Sequence, residues 1–341
     1  MNDTSVFLSI SEDYLDTFLP IGKGASPNTI KSYKYAFRLL IEYMFLQKGI
    51  PADKIEFSSL DYTTLLSFFD WITETRKCST STRNQRLAVL LSFSEYAQNR
   101  DYDAAAIFRS SVIKIPIKKT VQCSRTWFDF DEIQILLALP DEHTKLGLRD
   151  KVLLCVLYAT GARAQEICDL TVSWVKASAK GTSIDIIGKG NKRRRVKISD
   201  YAATILNRYI LKRQIEHSPD SHIFSSQTHE QMTISCIEEI VKKYIKLAKA
   251  AHPTKFLQKN YSPHSFRHTT ATHMIEAGVP LRAIKNFLGH ASIQTTQVYA
   301  ELTQNTVDRY VREWNEKWFP RNIAPTVTKT NEDNIPDFLK T

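Results

Sequence analysis

The sequence predicts a mainly α-helical protein with two domains and a small β-hairpin in the second. Apolar side chains recur at helical spacing through most of the chain, which is typical of helices that bury one face. Residues 183–198 depart from this spacing and form two short runs around a glycine-bearing turn. The 341 residues, 43% of them hydrophobic, are enough for two domains of ordinary size.

The first helix of the N-terminal domain has clear start and stop signals. Ser26 is a favourable N-cap, and Pro27 suits the first helical position because it lacks an N–H. Gly49 then ends the helix. Between them, apolar residues follow helical spacing: Ile30, Tyr33, Phe37, Leu40 and Met44. Further apolar helices are predicted over residues 62–75 and from about Ser81.

The second domain is predicted to be helical around one hairpin. Helices are expected over residues 130–139, 146–158 and 164–170, strands over 183–187 and 195–198, and helices again from Tyr201 to about Trp318. The resulting boundaries are an N-terminal extension over 1–25, a helical domain over 26–113, a linker over 114–125, the second domain over 126–318 and a mobile tail over 319–341.

The charge balance indicates a polyanionic partner. The chain carries 46 basic and 36 acidic residues, a net charge of +10, and the densest basic run is KGNKRRRVK from Lys189 to Lys197. For any single basic residue on a helix, a solvated surface is the simpler interpretation. The candidate contacts with such a partner are Lys31, Lys34, Arg83, Arg86, Lys118, Lys119, Lys192 and Arg193.

The sequence also favours a cytoplasmic protein. Its N-terminus lacks the basic flank and sustained apolar run of a secretory signal, and the apolar stretch from Val152 to Ala159 is too short to span a bilayer. The five cysteines show no CxxC spacing, so neither a disulfide framework nor a zinc ribbon is expected.

Two arginines are placed to hold an anion. Ser262-Pro263 opens a helix, and His264 and Arg267 then share one face of its first turn, beside unpaired N–H groups at the positive end of the helix dipole. Arg163 follows the turn Thr160-Gly161 at the start of another helix. A planar guanidinium holds two phosphate oxygens at once. The alternative for Arg163 is a surface salt bridge with Glu166 or Asp169.

Tyr299 and His290 lie in LGHASIQTTQVYA, where a helix break brings the histidine close to the next helix. An unperturbed phenol has a pKa near 10, so a nucleophilic tyrosine needs a base and cationic neighbours. Without them, Tyr299 is an ordinary packing residue. A metal site at His264 and His268, four residues apart, is disfavoured because no third ligand and no HExxH pattern accompany them.

Four segments in order, TGARAQEI, GKGNKRRRV, HSFRHTTATHM and LGHASIQTTQVYA, resemble the tyrosine recombinase family of phage integrases and Xer-like enzymes. The resemblance spans roughly residues 26–318. It implies site-specific cleavage and rejoining of DNA through a 3′-phosphotyrosyl intermediate. It also assigns roles: Tyr299 as nucleophile, Arg163 and Arg267 as phosphate clamp, His264 as acid/base, His290 as phosphate hydrogen-bonding group, Lys189 as general acid for the leaving oxygen, and Glu166 as a supporting carboxylate.

The resemblance further implies a two-domain clamp around double-stranded DNA, with a helical core-binding domain and a mixed catalytic domain, and no metal or nucleotide cofactor. The aromatic stripe of residues 307–318 is expected to dock on a neighbouring protomer and build a tetramer on two duplexes. Burial of this stripe within its own domain is the alternative. Few residues precede Ser26, so no separate arm-binding domain is expected, which favours a recombinase of the Xer or transposon type.

Two other functions remain compatible with the sequence. A type IB topoisomerase-like enzyme would use the same chemistry to nick and reseal a single duplex. A non-catalytic regulator that reads a DNA groove with its helices would explain the basic charge but not the combination of arginine, histidine and tyrosine residues.

Overall fold

The structure is a computed structural model that describes residues 5–120, 126–188 and 192–289. The chain divides into two compact units, Met1–Cys123 and Ser124–Thr341, referred to here as the first and second units. Each unit has its own hydrophobic core. Within the described residues, no helix is both long and apolar enough to cross a membrane.

The first unit is helical throughout. Its elements are α1 (Val6–Glu12), a π-helical segment (Asp13–Gly22), α2 (Pro27–Lys48), α3 (Tyr62–Glu74), α4 (Thr80–Arg100) and α5 (Tyr102–Lys114). The start and stop signals of α2 are confirmed, because Ser26 Oγ accepts the N–H of Thr29 at 3.2 Å and Gly49 adopts a left-handed conformation with φ of 67°.

Two parts of this unit differ from the sequence expectations. The sequence predicts an N-terminal extension over residues 1–25, yet Phe7 and Tyr14 are fully buried among the aromatic side chains of the core. Helix α5 was not predicted. It begins at Asp101, whose carboxylate accepts the N–H of Ala104 at 3.0 Å, and it buries Phe108 against the same core.

Burial corrects two of the candidate DNA contacts. Arg83 is completely buried, donates to the carbonyl oxygen of Pro116 at 2.6 Å and lies over the ring of Phe69. Arg86 is 9% exposed and donates to the carbonyl oxygen of Ser32 at 3.2 Å. Because both guanidinium groups are buried and hydrogen-bonded inside the unit, neither is placed to contact a DNA phosphate in this conformation.

The other candidates in this unit lie on its surface. Lys31 and Lys119 are exposed, and Lys34 forms an exposed ion pair with Asp16. Lys118 Nζ lies 3.8 Å from a carboxylate oxygen of Asp70. Exposed pairs of this kind contribute little stability and exchange readily for other partners. DNA contact by these four lysines stays a prediction.

The chain that leaves α5 is fastened to α4. The side-chain amide of Asn84 donates to the carbonyl oxygen of Lys118 at 2.7 Å and accepts the N–H of Lys118 at 3.2 Å. Arg83 holds the Pro116 carbonyl beside it. Residues 116–118, expected from the sequence to belong to a linker, are therefore held by three hydrogen bonds.

We predict that Asn84→Ala releases this segment without unfolding the first unit. The substitution removes both side-chain bonds to Lys118, so trypsin should cleave after Lys118 and Lys119 several-fold faster, as followed by mass spectrometry. The matched control is Asn99→Ala, an exposed position on the same helix. Equal cleavage rates in the two variants would show that Asn84 does not restrain the segment.

The second unit is helical around one small sheet. Its elements are α6 (Phe130–Ala138), α7 (Lys145–Thr160), α8 (Ala164–Cys168), β1 (Val175–Ser178), β2 (Gly181–Gly188), β3 (Lys192–Lys197), α9 (Asp200–Lys212), α10 (Ile234–Ala251), α11 (Pro263–Glu276) and α12 (Leu281–Leu288). The sheet is antiparallel in the order β1-β2-β3, with Ile184 opposite both Val175 and Val196.

The predicted hairpin is confirmed as β2 and β3, whereas β1 was missed because its residues are largely exposed and show no alternating apolar pattern. The helical structure predicted from Tyr201 onwards is wrong over residues 213–233. This segment is a loop rich in turn-forming residues, and Gln214 adopts a left-handed φ of 57°.

Helix α7 lies at the centre of the second core. Seven of its eight residues from Lys151 to Tyr158 are buried, and Cys155 is among them, as expected for an unreactive core thiol. The helix ends at Gly161, whose φ of 56° is left-handed. The turn that follows carries Arg163.

Candidate active site

A buried guanidinium joins two helix ends at the centre of the site. Arg267, in the first turns of α11, is 1% exposed. Its Nη1 donates to the carbonyl oxygen of Gly161 at 2.8 Å, and its Nη2 donates to the carbonyl oxygen of Leu288 at 2.7 Å. These carbonyls belong to the C-terminal ends of α7 and α12, where the helix dipoles are negative and favour a cation.

The two helix ends also touch directly. A Cβ atom placed on Gly161 would lie 2.6 Å from Leu288 Cδ2, a distance that real contacts do not reach. Its left-handed backbone adds a second reason for glycine at this position. The turn before Arg163 is therefore shaped by close packing of α12 as well as by Arg267.

Arg163 and Arg194 share one buried carboxylate. Glu166, 5% exposed, accepts the N–H of Arg163 at 2.9 Å and its Nη1 at 2.8 Å. Arg194, on β3, donates to both oxygens of Glu166 at 3.1 and 2.7 Å. The salt bridge considered from the sequence as an alternative to a functional Arg163 thus exists, and it fixes the start of α8 rather than a surface position.

The cluster of Arg163, Arg194 and Glu166 carries a net positive charge. Burial alone would raise the pKa of Glu166, but hydrogen bonds from Arg194 and from the Arg163 backbone, with the charges of both arginines, outweigh burial and lower it. Glu166 is therefore ionised at neutral pH, and two guanidinium groups face one carboxylate.

Lys189, His290 and Tyr299 lie outside the described residues, so their contacts stay predictions. Their chain neighbours are described. A Cβ on Gly188 would lie 3.3 Å from Glu166 Oε1, and one on Gly289 would lie 3.2 Å from Arg194 Nη1. The residues that directly precede Lys189 and His290 therefore both lie against the Arg194–Glu166 pair.

His264 is exposed in the first turn of α11, one turn before Arg267. Its ring lies edge-on to that of His268, with 5.0 Å between the ring centroids. In the part of the chain that the structure describes, no group of three histidine, cysteine or acidic side chains is arranged to hold a metal ion.

A basic cleft of about 810 Å³ opens beside this cluster. Among the described residues, its cationic lining consists of Arg163, Lys192, Arg193, Arg194, Arg195 and Lys285. Lys192 and Arg193 are exposed and form no ion pair with another described residue. Arg195 is paired with Asp185 at 2.7 Å, and its hydrogen bond lowers the pKa of that carboxyl.

This arrangement is suited to binding a phosphate group. Arg163, with 37% of its side chain exposed, stands between the buried pair and the cleft. Its guanidinium has planar geometry that matches two phosphate oxygens, and Glu166 fixes its orientation. The cleft adds further cations that would attract a polyanion.

Sequence reasoning missed the positions of Arg194 and Lys285. Arg194 lies in a run of four basic residues, and only alternation along β3 could have separated it from its exposed neighbours. Lys285 lies one helical turn before Gly289, which could have indicated a position near the site.

We predict that Glu166→Gln destabilises the protein at neutral pH by about 3 kcal/mol, because it leaves two guanidinium groups without their carboxylate. Denaturant unfolding measures this difference. Glu239→Gln, at an exposed ion pair, is the matched control and should cost less than about 1 kcal/mol.

The pH dependence of the same difference follows from the lowered pKa. A carboxyl with a lowered folded-state pKa stabilises the fold above its ordinary value, 4.5, and loses that contribution as pH falls through the folded value. The advantage of the wild type over Glu166→Gln should therefore shrink below about pH 4.5. A constant difference from pH 7 to pH 3 would contradict the assignment.

Comparisons with known proteins agree with this architecture. Residues 126–306 match the phage integrase family, and residues 7–114 match the phage integrase SAM-like domain. Tyrosine recombinase XerD of Listeria monocytogenes is 30% identical over 298 residues, covering 86% of this chain and 94% of the relative. A putative integrase/recombinase of Sinorhizobium fredii is 29% identical and covers 82% of each chain.

Solved structures share the fold. The XerH site-specific recombinase bound to a palindromic difH substrate, in a post-cleavage complex, matches with a TM-score of 0.68 at 19% identity over 89% of this chain and 85% of that one. The Tn1549 transposon integrase in complex with a circular intermediate DNA matches with a TM-score of 0.69 at 17% identity over 89% and 99% of the two chains. The predicted mainly helical fold class is confirmed.

Proposed function

Because the chain belongs to the phage integrase family of tyrosine recombinases, whose members cleave and rejoin DNA strands, we propose that it is a site-specific recombinase acting through a 3′-phosphotyrosyl intermediate. The observation that carries the proposal is the buried Arg267, which ties together the turn before Arg163 and the helix end before His290. The chain segments that lead to Arg163 and His290, two of the proposed phosphate ligands, are thereby held by the same side chain.

In the proposed reaction, the phenolic oxygen of Tyr299 attacks the scissile phosphorus and the bond to the 5′-oxygen breaks. Arg163 holds the non-bridging oxygens, whose negative charge increases in the transition state. Arg267, buried in the described structure, joins it through a conformational change that turns its guanidinium towards the phosphate. His264 acts as acid/base near the tyrosine, His290 donates a hydrogen bond to the phosphate, and Lys189 delivers a proton to the departing 5′-oxygen.

The second half of the proposed reaction reverses the first. A 5′-hydroxyl, from the same or another strand, attacks the phosphotyrosine and releases Tyr299. The number of phosphoester bonds is conserved, so religation needs no nucleotide as an energy source. We propose that Glu166 acts through Arg163 and Arg194, as a positioning residue that fixes their orientation.

The proposed substrate is double-stranded DNA. The basic cleft supports it, as do the solved neighbours, which include complexes of recombinases and integrases with DNA. Within the described residues, the exposed candidates for backbone contact are Lys31, Lys34, Lys118, Lys119, Lys192 and Arg193. Such contacts fix the position of the protein on the duplex without reading its sequence.

The decisive test of catalysis is covalent trapping. We predict that the wild type becomes attached to a nicked suicide substrate carrying its target site, because loss of a short 5′-hydroxyl fragment prevents religation. Tyr299→Phe lacks the nucleophilic oxygen and should form no adduct while retaining DNA affinity. Denaturing gel electrophoresis detects the adduct, and filter binding measures the affinity.

The target sequence is first obtained by selecting bound fragments from a random DNA library with the same protein. Tyr102→Phe, at an exposed tyrosine of the first unit, is the matched control and should still be trapped. Attachment of Tyr299→Phe at the wild-type level would assign the nucleophile to another residue. A wild type that binds its selected site but never forms an adduct would favour the regulator.

We also propose that the protein works as a tetramer on two duplexes through residues 307–318. The support is the aromatic stripe of this segment, expected from the resemblance to dock on a neighbouring protomer.

Truncation before Val307 should therefore abolish pairing of two DNA sites while the protein still binds one site. Native gel electrophoresis with duplexes of two lengths measures both properties. Truncation after Trp318 is the control and should leave pairing intact. Pairing by the shorter protein at the wild-type level would overturn this assignment.

A further inference from the structure

A second basic cavity lies in the second unit, at the opposite end of α7 from Arg163. It is formed by the first turn of α7, the last turn of α9 and the loop of residues 225–227, and its volume is about 260 Å³. Helix α7 has 16 residues, so its two ends are roughly 22 Å apart. This cavity, called here the distal cavity, is therefore separate from the cleft at Arg163.

Positive charge converges on the distal cavity. Four of its lining residues are cationic: Lys145, Arg149, Lys212 and Arg213. None of the lining residues is acidic. The cationic groups repel one another around a small, half-open cavity, and an anion between them would remove this repulsion.

The two arginines are held in place without full neutralisation. Nη1 of Arg213 donates to the carbonyl oxygens of His222 at 2.6 Å and Ile223 at 2.7 Å, which fix the group but carry no net charge. Arg149 is paired with the buried Asp150 at 2.8 Å. That carboxylate is shared with Lys243, so it cannot balance both cations.

Tyr209 contributes a phenol to the cavity lining that contains both arginines. Tyr209 is 4% exposed and lines the cavity. Burial raises the pKa of Tyr209, and the charges of Arg213 and Arg149, which line the same cavity, act in the opposite direction. The hydroxyl stays protonated at neutral pH and is able to donate a hydrogen bond.

The two lysines complete the arrangement at the rim. Lys145 and Lys212 are exposed, and neither forms an ion pair with another described residue. The cavity thus combines two fixed guanidinium groups, a protonated phenol and two adjustable ammonium groups. Leu146, 44% exposed, adds apolar surface beside them.

We propose that the distal cavity binds a small phosphomonoester. A phosphomonoester is mostly dianionic at neutral pH because its second pKa is near 6, and it accepts several charge-assisted hydrogen bonds. A carboxylate would supply half of that charge. The concave shape and a volume just below the usual range for small-molecule sites exclude entry of a DNA duplex. The apolar side at Leu146 suits the organic part of such a molecule.

The test uses AMP as the probe and the full-length protein without DNA, in isothermal titration calorimetry at low salt. AMP should bind saturably at the distal cavity, and adenosine, which lacks the phosphate, should not bind. The double variant Lys145→Gln/Lys212→Gln should weaken AMP binding by at least about tenfold, since two charged contacts are lost. Lys180→Gln/Lys246→Gln, at two exposed lysines elsewhere in the unit, is the matched control and should bind like the wild type.

Four results would overturn the proposal: no AMP binding at millimolar concentration, equal binding by the two double variants, binding of adenosine as tightly as AMP, or displacement of AMP by duplex DNA. Equal binding by the variants would place AMP elsewhere, as in the cleft at Arg163. Excess duplex DNA should leave AMP affinity unchanged, and displacement of AMP by DNA would instead assign these lysines to the DNA surface. Both double variants should retain covalent trapping on the suicide substrate, so failure here is distinguishable from failure of the recombinase assignment.

Discussion

The geometry of the candidate active site depends on one buried cation, Arg267, placed between two helix C-termini. A guanidinium inside a protein is costly unless its charge and its donors are satisfied. The carbonyls of Gly161 and Leu288 lie at the negative ends of α7 and α12, so the two dipoles together offset much of this cost. The same bonds fix the chain where it turns towards Arg163 and, past Gly289, towards His290.

The carboxylate of Glu166 is a second constraint, and it connects this part of the second unit to the sheet. It fastens Arg163 on α8 to Arg194 on β3, and Arg194 in turn borders both glycines that precede Lys189 and His290. Three separate parts of the chain are thereby brought to one place, with an excess of positive charge left for a phosphate. The site is thus assembled by electrostatics within a hydrophobic unit, and preorganised donors of this kind are effective in stabilising a charged transition state.

Arginine side chains have very different roles in this chain. Arg83 is buried and holds the Pro116 carbonyl, Arg267 is buried and joins two helices, and Arg193 is exposed in the cleft. Net charge and clustering indicate a polyanionic partner. They do not distinguish these three roles, because burial is set by neighbours that are distant in sequence.

The sequence by itself determined the local features: the caps and bounds of α2, the short helix after Arg163, the β2–β3 hairpin and the membership of the family, because each depends on spacing within a few turns or on motifs in a fixed order. It did not reveal that residues 5–25 complete the first core, that residues 213–233 form a loop, or that Arg194 pairs with Glu166. Only the tertiary structure decided these, since the Arg194–Glu166 pair spans 28 positions and the Arg267–Gly161 bond spans 106, and long-range contacts leave no periodic trace in a single sequence.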